Sequence, residues 1–86
     1  MPITEDTYKS LGFKSPDFIV NPYGIKIYFG TKGKDDWCIE VPKEVCKLKT
    51  PRYPFGYNYV VYFETEEEVL RIAREFTELA ERNKRK

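Results

Sequence analysis

Residues 65–86, "TEEEVLRIAREFTELAERNKRK", constrain this chain more than any other stretch. Val69, Ile72, Ala73, Phe76, Leu79 and Ala80 recur at helical spacing and form one apolar stripe. Thr65 and Glu68 have the spacing of a capping box, which satisfies two of the amides a helix start leaves open. Glu67/Arg71, Arg74/Glu78 and Glu78/Arg82 stand four apart as opposite charges on the outer side. A helix with a single apolar stripe persists in water only when that stripe lies on something. The rest of an 86-residue chain must supply the surface.

What the rest offers is alternation. Ile25, Ile27 and Phe29 alternate with Lys26 and Tyr28; Trp37, Ile39 and Val41 alternate with Cys38 and Glu40. In "YNYVVYFE", Tyr57, Tyr59, Val61 and Phe63 share one face, with Asn58, Val60 and Tyr62 on the other. Asn21-Pro22-Tyr23-Gly24 reads as a hairpin turn in which Pro pre-sets φ and Gly takes a positive φ, joining "DFIV" to "IKIYF". "GTKGKDD" reads as a second, polar turn. "VCKLKT" is expected as a further strand after a loop over 42–45. That register sets Val41 opposite Cys46 and Ile39 opposite Leu48 on the core face, and Glu40 opposite Lys47.

The opening "ITEDTYKSLGF" reads as a short helix. Thr4 is the expected N-cap, Ile3 can staple to Tyr8, and Gly12 is the expected left-handed residue after the end, with Phe13 folding back onto Tyr8. The expected fold class is α+β in a single domain over 1–86. It comprises a short N-terminal helix, a four- to five-stranded antiparallel meander sheet, and a long C-terminal helix packed on one face. The N-terminal helix is expected over an edge or an end of the sheet.

Composition narrows the chemistry. The chain has no histidine, which removes the Ser/His/Asp and Cys/His triads, the usual zinc sites and the commonest general base. Two cysteines cannot build an all-thiolate zinc site, and no glycine-rich phosphate loop is present. The expectation is a protein that is not an enzyme, with no cofactor and no metal. Glu66, Glu67 and Glu68 complement a helix dipole rather than mark a metal site. Cys38 is the candidate reactive thiol. In the expected register it faces away from the core, opposite Lys49 and diagonal to Lys47, whose ammonium groups favour a thiolate. Cys46 points to the core, so no disulfide joins the two, and without a general base a structural thiol is the favoured reading.

Lys+Arg number 15 against 14 for Asp+Glu, a net charge of +1 that gives no general pull toward duplex DNA or an anionic membrane. "MPITEDTYKS" has neither a basic nor an apolar leader region, and no apolar run approaches the ~20 residues of a membrane span. A soluble, cytoplasmic protein with reduced thiols is expected.

"TPRYPFGYNYVVYFET" then poses the functional question, with five rings between Tyr53 and Tyr62. One helix covers one face of a small sheet. The other face would carry Tyr28, Val60, Tyr62 and Phe18 or Val20. Either the N-terminal helix and the 42–56 loop close over it, or it meets another chain. The expected function is a small, non-catalytic protein-binding module of accessory or inhibitor type. Its aromatic sheet face and 50–59 loop would act through Tyr28, Arg52, Tyr53, Phe55, Tyr57 and Tyr62, and the partner would be another protein or a second copy. One alternative is a single-stranded nucleic-acid binder that stacks bases on the same rings, with Lys43, Lys47 and Lys49 as its margin. The balanced charge and the missing "K/R-G-F/Y" signature stand against it. The other alternative is a structural subunit of a larger assembly.

"ITEDTYKSLGF", from Ile3 to Phe13, resembles the "I-T-E-E-x-x-x-x-x-G-F" start of many small uncharacterised proteins from bacterial prophages and mobile elements. The resemblance implies a phage or mobile-element accessory protein that works by binding a host protein. It brings no catalytic residues.

Overall fold

The computed structural model describes residues 5–14, 19–30 and 36–85. Along the chain run α1 (Glu5–Ser10), β1 (Lys26–Phe29), β2 (Trp37–Val41), α2 (Lys43–Lys49), β3 (Tyr59–Phe63) and α3 (Glu66–Lys84). The three strands form one antiparallel sheet in the order β1-β2-β3. The architecture is α+β with a long C-terminal helix, as expected, but the sheet has three described strands rather than four or five.

Two expected strands account for the difference. "DFIV" contributes a single bridge, Val20 to Lys26; its first two residues lie outside the described residues. "VCKLKT" is not a strand at all, because Lys43–Lys49 is helix α2. Pro42 stands at its N-cap, where a missing N–H costs nothing. Glu44 lies in the first turn, and Lys47 and Lys49 in the last, each matching the dipole end beside it. Val45 and Cys46 are buried, and Leu48 lies one turn after Val45. The expected pairing of Glu40 with Lys47 is therefore replaced by an ion pair from Glu40 to Lys26 across β1 and β2, at 3.8 Å.

The face assignments of the strands hold. Ile27, Ile39 and Val41 share the buried face, while Tyr28, Cys38 and Tyr62 share the other in one cross-strand row. In α3 the Thr65 hydroxyl accepts from the Glu68 amide at 3.2 Å, so the expected cap is present. The buried stripe is Val69, Leu70, Ala73, Phe76, Thr77 and Ala80, with Ile72 and Leu79 only half-buried. It is rotated toward Leu70 and Thr77, and the Thr77 hydroxyl accepts from the Asn21 side chain at 3.1 Å.

The N-terminal helix ends as expected. Gly12 takes φ 90°, its N–H donates to the Lys9 carbonyl, and the Phe13 N–H donates to the Tyr8 carbonyl. The Tyr8 and Phe13 rings meet edge-on at 6.3 Å. The Thr4 cap and the Ile3 staple lie outside the described residues. Tyr8, Leu11 and Phe13 join the same core as Ile27, Ile39, Val41 and the α3 stripe. The Tyr8 hydroxyl donates to Glu66 at the start of α3. So α1 shares the helix side of the sheet and does not close over the row of Tyr28, Cys38 and Tyr62.

Asn21 fastens this corner. Its side-chain oxygen accepts from the Tyr23 and Ile25 amides, and its side-chain nitrogen donates to the Leu11 carbonyl and the Thr77 hydroxyl. Gly24 closes the turn at φ 83° with an N–H to the Asn21 carbonyl, as the Asn-Pro-Tyr-Gly sequence predicts.

Candidate binding surface

Residues 50–58 join α2 to β3. Proline at 51 and 54 limits the freedom of this loop, and the Tyr53 N–H bonds back to the Thr50 carbonyl. Asn58 pins the far end. Its side-chain oxygen accepts from the Lys43 amide at 3.3 Å, and its nitrogen donates to Glu40 at 3.0 Å. The Lys43 ammonium donates to the Gly56 carbonyl. The loop is thus held at both ends while its tip presents rings outward.

Those rings form a continuous ladder. Tyr57 lies 5.1 Å from Phe55, Phe55 lies 5.2 Å from Tyr53, Tyr53 lies 6.4 Å from Tyr59, and Tyr59 lies 6.3 Å from Phe76. Most of these contacts are edge-on or tilted, the arrangements that ring quadrupoles favour. The ladder has an open end, with Tyr57 64% and Phe55 48% exposed, and a buried end at Phe76, 6% exposed. An exposed surface is thereby anchored in the core by a chain of rings.

Beneath the ladder opens a cleft of about 190 Å³, lined by Cys46, Lys49, Thr50, Tyr53, Tyr59, Phe63, Ile72 and Phe76. Lys49 stands at its rim. The ammonium lies 5.4 Å over the Phe76 ring and pairs with Glu75 at 2.9 Å. Both partners are about half exposed, so the pair holds Lys49 in place more than it stabilises the fold. Burial pushes the Cys46 thiol up, only partly offset by the Tyr59 backbone, so this sulfur lines the wall as a neutral group. Both cysteines are free thiols.

The expected binding residues divide into two groups. Tyr53, Phe55 and Tyr57 come together in the ladder, with Arg52 exposed beside them. Tyr28 and Tyr62 lie on the opposite face of the sheet, flanking Cys38. Tyr62 is 43% exposed and Val60 beside it 46%, so that face is not sealed into a second core. Cys38 itself is 3% exposed, and its cross-strand neighbours are the two tyrosines rather than Lys49, which lies on α2. The lysine setting expected to favour its thiolate is thus not the one the fold provides.

Sequence reasoning missed the cleft, because Tyr59, Phe63, Ile72 and Phe76 read only as core and α2 read as a strand. The available signal was the spacing of Cys46 and Lys49, three apart, which on a helix points both toward α3. Among the described residues no group of three or more His, Cys, Asp or Glu is placed to hold a metal ion. No described helix is long and apolar enough to cross a membrane. No protein-family model, no curated protein and no solved structure matches this chain.

Proposed function

We propose that the chain is a small, non-catalytic protein-binding module of accessory or inhibitor type, acting in the cytoplasm. It grips another protein with the ladder from Tyr57 to Tyr59 and seats an apolar side chain in the cleft below. The observation that supports this most is the ladder itself. Rings exposed at the loop tip are braced, ring on ring, against Phe76 in the core. A braced aromatic loses little conformational freedom on binding, which is why anchors of this kind dominate protein interfaces.

Affinity capture from the source cell with the intact chain tests the reading. Wild type is expected to retain a partner that the Phe55→Ala/Tyr57→Ala variant releases, each anchor contributing about 2 kcal/mol. Equal recovery by both would remove the ladder from the interface. The second reading, stacking of single-stranded nucleic acid, is favoured by one observation, the exposed Lys47, Lys49 and Arg52 near the rings. Salt-sensitive, saturable binding of labelled single-stranded DNA or RNA that weakens in Arg52→Ala would establish it instead.

A further inference from the structure

Charge on this chain is not spread evenly. From Lys43 to Asn58, α2 and the ring-bearing loop carry Lys43, Lys47, Lys49 and Arg52 against Glu44 alone. That is a balance of +3 in a chain whose total is +1, so the rest of the chain sums to −2. Two contacts gather these cations around the rings. The Lys43 ammonium reaches the Gly56 carbonyl, so the side of α2 that carries Lys43 and, four residues on, Lys47 faces the loop. The bond from the Tyr53 N–H to the Thr50 carbonyl sets Arg52 inside a turn that follows α2 directly. Lys47 and Arg52 are exposed, and among the described residues neither takes part in an ion pair.

The cleft below the ladder adds a second requirement. Phe76 and Cys46 in its floor are buried and Phe63 and Ile72 half-buried, while exposed Lys49 and Thr50 stand at its mouth. An apolar cavity of about 150 Å³ takes one benzene. At about 190 Å³ the cleft admits one aromatic ring or one branched aliphatic side chain. It falls short of the ~300 Å³ at which pockets for whole small-molecule ligands begin. A nucleobase is a poor occupant, because its edges are polar and Phe63, Ile72 and Phe76 offer nothing to pair with them. Lys49 shows which group the mouth accepts. Its ammonium lies 5.4 Å over the Phe76 ring and 2.9 Å from the Glu75 carboxylate, and both members of that pair are about half exposed. A carboxylate thus already sits on the cation at the mouth, open to exchange for another. On that far side Lys49 shares a shallow depression with Glu75, Glu78 and Arg82, so the cationic side of the cleft is the one toward the loop.

We propose that the partner presents an acidic peptide segment, with one aromatic or branched aliphatic side chain in the cleft and flanking carboxylates on Lys47, Lys49 and Arg52. This rests on the reading of the ladder as a protein-binding surface and adds the chemistry of what that surface binds. The buried side chain supplies the adhesion, and the carboxylates speed encounter and fix which way the segment lies. A basic segment with the same apolar residue meets like charge on this face and is turned away.

Titration of the isotope-labelled full chain with short capped peptides tests this, read at the amide resonances of Cys46, Lys49, Ile72 and Phe76. A peptide with one Phe flanked by Glu should shift them saturably at low salt. The same Phe flanked by Lys should bind about tenfold or more weakly, and a Glu-flanked Ala should leave the cleft amides unmoved. Lys47→Glu/Arg52→Glu should reverse the preference between the two Phe peptides, with an unchanged unfolding midpoint because both residues are exposed. Glu75→Gln frees Lys49 and should tighten the acidic peptide about two- to fivefold. Glu67→Gln, the same loss of charge at the start of α3, should not. Equal affinity for the Glu- and Lys-flanked Phe peptides overturns the acidic partner and leaves the ladder reading standing. Cleft amides unmoved by either peptide up to about 1 mM, near the weak limit of specific association, overturn both the acidic partner and the cleft's part in that reading. Oligothymidylate that displaces the acidic peptide overturns it as well, and assigns this face to single-stranded nucleic acid.

Discussion

Ile25 and Ile27 at β1, like Ile39 and Val41 on the central β2, are all but inaccessible to water, although Phe29 at the end of β1 is open, whereas Tyr59, Val60 and Tyr62 on β3 are all partly exposed. Both regions read as apolar alternation in the sequence, and both belong to one small sheet. They differ in what lies over and beside them. The Asn21 turn and the 19–21 segment gather at β1, with Leu11 after α1 bonded to Asn21, while β3 has α3 on one face and its outer edge uncovered by any described strand. Burial is therefore concentrated toward one end of the molecule, and the surface proposed for recognition lies toward the other. A chain this short has few elements to spend on covering its core, and here they are not shared evenly.

The largest expected effect falls on the closed end. Phe13 is among the fully buried large side chains, and Phe13→Ala should cost about 3–5 kcal/mol, comparable to the whole stability of a small domain. Urea unfolding should find the variant largely unfolded before denaturant is added; a midpoint near that of wild type would mean the closed end is not the stability centre.

An intermediate effect belongs to the tie between α1 and α3. Tyr8→Phe removes the hydroxyl bond to the Glu66 carboxylate and should cost about 1.5–3 kcal/mol. Burial, then the bond to Glu66 and its charge, push the Tyr8 phenol above its ordinary 10.0. The folded state thus holds a proton that the unfolded state releases above that value, so this contribution is complete below about pH 10 and declines as pH rises beyond it. Melting temperatures of wild type should fall more steeply than those of Tyr8→Phe over that range; parallel curves would detach the phenol from the stability of the fold.

At the open end the smallest effect is expected. Tyr57→Ala should leave the unfolding free energy within about 0.5 kcal/mol of wild type, because the ring is 64% exposed. A loss of more than about 2 kcal/mol would show that the ladder supports the fold, and the contrast between the two ends would dissolve.

How far this division was legible depended on the range of the signal. The capping residues Thr65 and Glu68 and the α3 period are local, and they located the helix. Strand alternation correctly sorted Ile27, Ile39 and Val41 from Tyr28, Cys38 and Tyr62. The run from Val45 to Leu48 fits a two-residue and a three-to-four-residue period alike. Only Pro42, Glu44 and the late lysines distinguished helix from strand there. Coverage is not local at all. Nothing in the sequence around Tyr59 or Phe63 says whether α1 lies above them or at the other end of the sheet, so the cleft could not be read while the rings of Tyr53, Phe55 and Tyr57 could.

Asn21 carries a consequence for how the molecule comes apart. One carboxamide is bonded to Leu11, Tyr23, Ile25 and Thr77, so the turn before β1, the end of α1 and the fourth turn of the last helix share a single node. Peeling α1 away would strand a buried amide and uncap the turn at once, which makes partial opening at this corner costlier than its few turns of structure suggest. The amides of Phe13 and Ile25 should then exchange with solvent only through events that also release α3, and the two ends of the chain should behave as a single cooperative unit.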